Sequence, residues 1–206
     1  MKLYNYFRSS ASFRVRIALN LKGLAYEYVP VHLAKGEHRQ PAFADVSVEK
    51  LVPVLELDDG TRLTQSMATI EFLDEQHPEP PLLPADALGR ARVRALAQIV
   101  GCEIHPLNNL RVLKYLVHDL KVSDDAKNTW YRHWVRLGLE TFEAQLAAGP
   151  AGRFCHGDAP TLADCCLVPQ IFNAQRFDCD LSGLPRTMAV FDACMKLPAF
   201  QRAQPS

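Results

Sequence analysis

The sequence predicts an α/β domain joined to an all-α domain, and three observations predict it. The first third alternates short β-branched and aromatic runs with apolar helical runs, in the order βαβ followed by ββα. A cluster of four prolines, Pro78, Pro80, Pro81 and Pro84, then falls within seven residues, where no helix can continue. Beyond it, apolar residues recur at steps of three and four. The proline cluster is the best domain boundary and divides residues 1–81 from residues 82–206.

The bulk properties narrow the function. The chain has 206 residues, 48% of them hydrophobic, enough for a full core. A formal net charge of +0 and a pI near 7.0 give no pointer to nucleic acid or to an acidic membrane surface. No stretch is apolar for the length of a membrane-spanning helix. The N-terminus lacks the basic stretch and apolar run of a signal peptide, so a cytoplasmic protein is expected. The six cysteines, Cys102, Cys155, Cys165, Cys166, Cys179 and Cys194, form no CxxC pair and no metal-ligand spacing. They read as free thiols serving as small core residues, and no metal site is expected.

Leu3 to Phe7 reads as a strand and Phe13 to Leu21 as a helix, with Gly23 as its C-terminal cap. Between them stand Arg8, Ser9, Ser10 and Ser12. A helix start presents unpaired backbone N–H groups and the positive end of the dipole, so hydroxyls and an arginine there suit an anion, a thiolate among them. The same pattern also describes an ordinary N-cap serine. Tyr26 to Val31 reads as a second strand, parallel to the first across a right-handed βαβ unit. Lys35 to Lys50, which holds His38, reads as a loop with one helical turn. Leu51 to Leu57 and Thr61 to Thr64 form a hairpin around Asp58-Asp59-Gly60, with Pro53 unusual inside a strand. Ser66 is a plausible N-cap for a helix reaching Gln76.

In the second part, Val93, Leu96, Ala97, Val100, Ile104 and Leu107 mark an amphipathic helix. Pro106 is expected to bend it, and Leu113, Leu116 and Val117 to continue it. His105, Asn108, Asn109 and Arg111 cluster at the bend, where they either line a cleft or satisfy backbone groups that the proline frees. Trp130, Trp134, Leu137 and Phe142 mark a long helix ending near Gly149. Thr161 to Asp164 is a capping-box pattern opening a helix to about Arg176, with Asp164 a structural cap. A last helix covers about Arg186 to Lys196.

Six blocks carry a family resemblance: YFRSSASFRVRIALNLKG, LVPVL, TQSMATIEFLDE, GCEIHPLNNLRVL, GDAPTLADCCLVPQ and NAQRFDCDL. In this order they resemble zeta-class glutathione transferases, and more narrowly the maleylacetoacetate and maleylpyruvate isomerases. The resemblance implies a thioredoxin-like N-terminal domain with a mixed sheet and a cis Val52–Pro53 bond, an all-helical C-terminal domain, and a homodimer. It implies glutathione as cofactor. Ser9 would hold and activate the thiolate with support from Ser10. Val52 would pair with the cysteinyl backbone, Gln65 and Ser66 would bind the γ-glutamyl end, and His38 is a candidate for the glycyl end. His105 and Asn109 would close the site from the helical domain, and Arg8, Arg111 and Arg176 are candidates to hold the carboxylates of a small dianionic substrate.

The chain departs from the pattern in places. Ala11 stands where many zeta members have the cysteine used in reductive dehalogenation, and Ser47-Val48 replaces the family's Asn-Pro. Arg111 resembles bacterial members that act on maleylpyruvate. The implied activity is glutathione-dependent cis–trans isomerisation of a maleyl keto-diacid. Its alternatives are transfer or dehalogenation on α-halo acids and other small electrophiles, and, in another class, a non-catalytic transferase-like binding protein.

Overall fold

A computed structural model describes residues 1–205. Two compact units emerge: residues 1–82 together with the segment that begins at Met195, and Leu83–Cys194. The units divide between Leu82 and Leu83, inside the proline cluster, and the end of the chain returns to the first unit. Arg16 shows how, because its Nε donates to the carbonyl of Ala203 at 3.0 Å.

The first unit is built on a four-stranded mixed sheet in the order β2-β1-β3-β4. The strands are β1 (Lys2–Asn5), β2 (Glu27–Pro30), β3 (Val54–Glu56) and β4 (Arg62–Leu63). β1 pairs parallel with β2, Leu3 opposite Tyr28, and antiparallel with β3, Leu3 opposite Leu55. β4 returns antiparallel along β3 through a turn at Gly60, whose φ of 86° suits a residue without Cβ. Helix α1 (Ser10–Leu21) follows β1, and α3 (Ser66–Gln76) follows β4, with one short helix, α2 (Pro41–Ala44), in the loop before β3. Leu3, Val15, Ile17, Leu19, Leu55, Ile70 and Leu73 are fully buried and form the core of this unit.

Local chemistry explains the boundaries. α1 starts three residues before the apolar run that announces it, because Ser9 caps it and Ser10 to Ser12 already take helical geometry. It ends as Gly23 predicts: the Gly23 φ is 67°, and the Leu24 N–H reaches back to the Leu19 carbonyl at 2.9 Å. The N-cap of α3 is Gln65 and not Ser66, since Gln65 takes a φ of 63° and Ser66 is already the first helical residue. Lys22 has a fully buried side chain whose Nζ donates at 2.6 Å to Asp74 Oδ1 and to the carbonyls of His77 and Pro80. One ammonium thus holds the end of α3 and the proline segment that leaves it.

The second unit contains α4 (Ala87–Gln98), α5 (Leu110–His118), α6 (Asp124–Ala148), α7 (Leu162–Arg176) and α8 (Pro185–Met195), the last ending one residue beyond it. The expected bend at Pro106 is a full break. α4 widens into a π-helical turn at Ile99–Ile104, the chain turns, and α5 restarts with the Asn109 side chain accepting from the Arg111 N–H at 3.2 Å. A proline removes a donor and crowds the turn before it, and a capping Asn gives a new helix a satisfied start. α6 crosses this turn closely: a Cβ on Gly138 would collide with Ile104 Cγ1. A short helix, α9 (Pro198–Ala203), which no pattern announced, completes the first unit. Of the six free cysteines five are buried, while Cys102 is exposed, against the expectation that all fill the core. Among the described residues no helix is long and apolar enough to cross a membrane.

Candidate functional site

Sheet topology brings the candidate residues of the first unit to one end. β1 and β2 run parallel, so the segments carrying Ser9 and His38 both leave from the same edge. β3 runs the other way with Val54 opposite Tyr4, so Val52 and Pro53 enter at that edge. β4 reverses again and delivers Gln65 and Ser66 there. Ligands in such folds gather where strands end and helices begin.

Two helix starts face this edge of the chain's topology. At α1, Ser9 Oγ accepts from the Ser12 N–H at 3.2 Å, leaving its own proton to be donated outward. The first turn of α1 holds no acidic side chain, so nothing in the helix neutralises its positive end. Ser9 is half-buried, Ser10 is buried, and Arg8 beside them is exposed with its guanidinium 5.1 Å from the Phe7 ring centre. At α3 the first turn is likewise free of acid. Gln65 is exposed and its Nε2 donates to both carboxylate oxygens of Glu49, at 3.1 and 3.2 Å. Ser66 is buried and its Oγ accepts from Arg14 Nη1 at 3.3 Å. The Val52–Pro53 bond is cis and both residues are buried. His38 lies buried in a short 3₁₀ turn, Glu37–Arg39.

The other candidates lie on the second unit. His105 Nε2 and Asn109 Nδ2 are 3.5 Å apart beside the start of α5, which also carries the exposed Arg111. The Asn109 side chain caps α5, and Asn108 Nδ2 donates to the Tyr131 carbonyl of α6 at 3.2 Å. Arg176 is exposed in the last turn of α7 with its guanidinium 4.9 Å from the Phe177 ring centre, and Phe177 stacks on Tyr131, whose carbonyl accepts from Asn108. Asp164 is fully buried and completes the capping box of α7. Sequence reasoning passed over Arg14 and Glu49. The signal for Arg14 was available: two arginines two residues apart inside an apolar helical run need buried partners.

A mixed sheet with a cis Val–Pro, two helix starts without an acid in their first turns and a helical second unit define a thioredoxin-like first unit followed by an all-helical one. The family models described as glutathione S-transferase N-terminal and C-terminal domains match residues 8–76 and 135–194. Maleylpyruvate isomerase of a Ralstonia species is 54% identical over 100% of this chain and 97% of its own length. Maleylacetoacetate isomerase of Pseudomonas aeruginosa is 47% identical over 100% and 96%. The holo structure of a bacterial zeta-class maleylpyruvate isomerase superposes with a TM-score of 0.97 at 53% identity, covering 100% of this chain and 97% of that one. Maleylacetoacetate isomerase of Anaeromyxobacter dehalogenans, solved with bound glutathione, gives 0.89 at 49% identity over 99% and 94%. The chain belongs to the glutathione S-transferase family, among its zeta-class maleylacetoacetate and maleylpyruvate isomerases.

Proposed function

We propose that this chain is a glutathione-dependent cis–trans isomerase of maleylpyruvate or maleylacetoacetate, giving the fumaryl isomer. The observation that carries it is the α1 start: a hydroxyl held as acceptor by its own helix, with a free proton and no competing acid. The residues fit glutathione, since α1 offers a thiolate a donor, α3 offers a carboxylate a helix start with no acid in its first turn, and cis Val52–Pro53 stands between them in the chain. Bound glutathione supplies a thiolate whose reversible addition to the substrate's cis double bond permits rotation to the trans form.

The protein has three tasks around that chemistry. Ser9 donates to the thiolate, with Ser10 and the α1 amides adding positive potential, which lowers a thiol pKa from about 8.5 toward neutrality or below. Gln65, Ser66 and His38 are proposed to hold the two ends of the tripeptide, Val52 its middle, and His105 and Asn109 to contribute from the helical unit. Arg8, Arg111 and Arg176 are proposed to hold the substrate's carboxylates; all three are exposed, and none forms an ion pair among the described residues. Positioning and fixed charge then carry most of the rate. Free thiols at all six cysteines accord with a cytoplasmic location, and the family supports a homodimer.

The test is a paired assay: purified protein with maleylpyruvate, then maleylacetoacetate, each with and without glutathione, followed by ultraviolet absorbance. Glutathione-dependent appearance of trans product is expected, with maleylpyruvate favoured because Arg111 is present. Conversion of neither substrate by a protein that binds glutathione would reject the isomerase and favour transfer to small electrophiles.

A further inference from the structure

Arg14 and Arg16 stand two residues apart on α1, both almost fully buried, and their surroundings differ. Each nitrogen of Arg16 has an acceptor: Nε donates to the Ala203 carbonyl, Nη1 to Asn5 Oδ1 at 2.9 Å and Nη2 to the Phe7 carbonyl at 3.0 Å. Its role is architectural, tying α9 and the end of β1 to α1. Arg14 is 3% exposed and makes one hydrogen bond, to Ser66 Oγ, while its Nε and Nη2 meet no acceptor. No carboxylate among the described residues pairs with it. A buried guanidinium without a counter-charge is costly, and proteins keep one where an anion offsets it.

The place where that charge is felt is the first residue of α3. Ser66 accepts from Arg14 and so turns its hydroxyl proton outward, at a helix start that has no acid of its own. We propose that Arg14 is a positioning residue for the α-carboxylate at the γ-glutamyl end of glutathione, acting through Ser66. This rests on the glutathione reading above and adds to it a residue and a selectivity: the α3 subsite requires a carboxylate because a buried positive charge stands behind it. Arg14 also links α1 to the start of α3, since it belongs to the second turn of α1 and bonds to Ser66, so the thiol end and the carboxylate end of one ligand are held on a common frame.

Calorimetry with two ligands tests this: glutathione, and the analogue with 4-aminobutyryl in place of γ-glutamyl, which lacks only that carboxylate. In Arg14→Met, glutathione binding is expected to weaken about tenfold or more, while the analogue binds as it does to the wild type. Arg14→Lys should restore part of the preference. Equal losses for both ligands, or no loss for either, would overturn the proposal and leave Arg14 a structural residue. A wild type that binds neither ligand would reject the glutathione reading itself. Should the variants not fold, the wild-type Arg14 Nε–Hε resonance decides: glutathione is expected to shift it and the analogue to leave it in place, and an equal response to both would overturn the proposal.

Discussion

α1 and α7 both begin with a hydroxyl residue, and they treat the positive end of the helix in opposite ways. Thr161 opens α7 and Asp164, three residues on, supplies an internal anion. Asp164 Oδ2 accepts from the Thr161 N–H and hydroxyl, both at 2.7 Å, and Oδ1 from the Cys155 N–H at 2.9 Å. That start is fully buried and closed. Ser9 opens α1, but the third helical position is Ser12, not an acid, and Ser9 is half-exposed. A helix start that carries its own carboxylate is a structural joint; one that leaves the carboxylate out is a place for an anion from elsewhere.

The largest expected effect lies at the closed start. Asp164→Ala leaves four buried donors, the Thr161 N–H and hydroxyl, the Cys155 N–H and the Cys194 thiol, without this acceptor and should cost about 3–5 kcal/mol of stability. Urea unfolding followed by circular dichroism measures it. A loss below about 1 kcal/mol would mean that another group or solvent serves those donors, and the two starts would then be less different than their geometry suggests. At the open start the loss should fall on turnover. Ser9→Ala removes a single donor to the thiolate, and a drop in kcat of roughly 10²-fold is expected, with a stability change of about 1 kcal/mol from the lost cap. An unchanged rate and pH profile would remove Ser9 from the thiolate role.

A third substitution converts one kind of start into the other. Ala11 is the second residue of α1 and partly exposed. Ala11→Asp adds the internal anion that α1 lacks. The helix should gain about 0.3–1 kcal/mol from its dipole, while repulsion raises the glutathione thiol pKa by about one unit and slows turnover at neutral pH about two- to fivefold. Thiolate absorbance of the bound cofactor against pH reads the shift. A faster or equal rate at neutral pH would show that the thiolate does not sit at this helix start.

Much of this contrast was legible in the chain, because caps and turns are local. Thr161 with Asp164, Gly23 after α1, and Asp58-Asp59-Gly60 in the hairpin each settle their geometry within a few residues. Pro53 was readable as an anomaly, and family resemblance supplied the cis bond. What escaped depends on partners distant in sequence. Gln65 takes the left-handed cap that Ser66 was expected to occupy, α9 forms where Arg16 reaches Ala203, and the incomplete bonding of Arg14 appears only once Ser66, 52 residues away, is placed beside it. The break after Pro106 lies between these cases: the proline and Asn109 were both visible, but whether a helix bends or restarts depends on packing against α6.

The smallest effect is in the pH dependence of stability, and it separates the worth of the cap from the worth of its charge. Burial pushes the Asp164 carboxyl above its ordinary range, although the hydrogen bonds from Cys155 and Thr161 pull the other way. The folded protein therefore binds this proton more tightly than the unfolded chain does. The contribution of Asp164 should be greatest below the unfolded carboxyl pKa of about 3.9, decline as pH rises through the raised folded value, and level off above it. Cys155 and Cys194, the ionisable groups against it, are pushed upward by burial and stay neutral across that window. The difference in unfolding free energy between the wild type and Asp164→Asn, measured from pH 4 to 8, isolates the term and should fall with rising pH. A difference that grows instead would show the hydrogen bonds outweighing burial. The charge on Asp164 would then be a source of stability, and the closed start of α7 would hold its anion as readily as the open start of α1 is proposed to hold a thiolate.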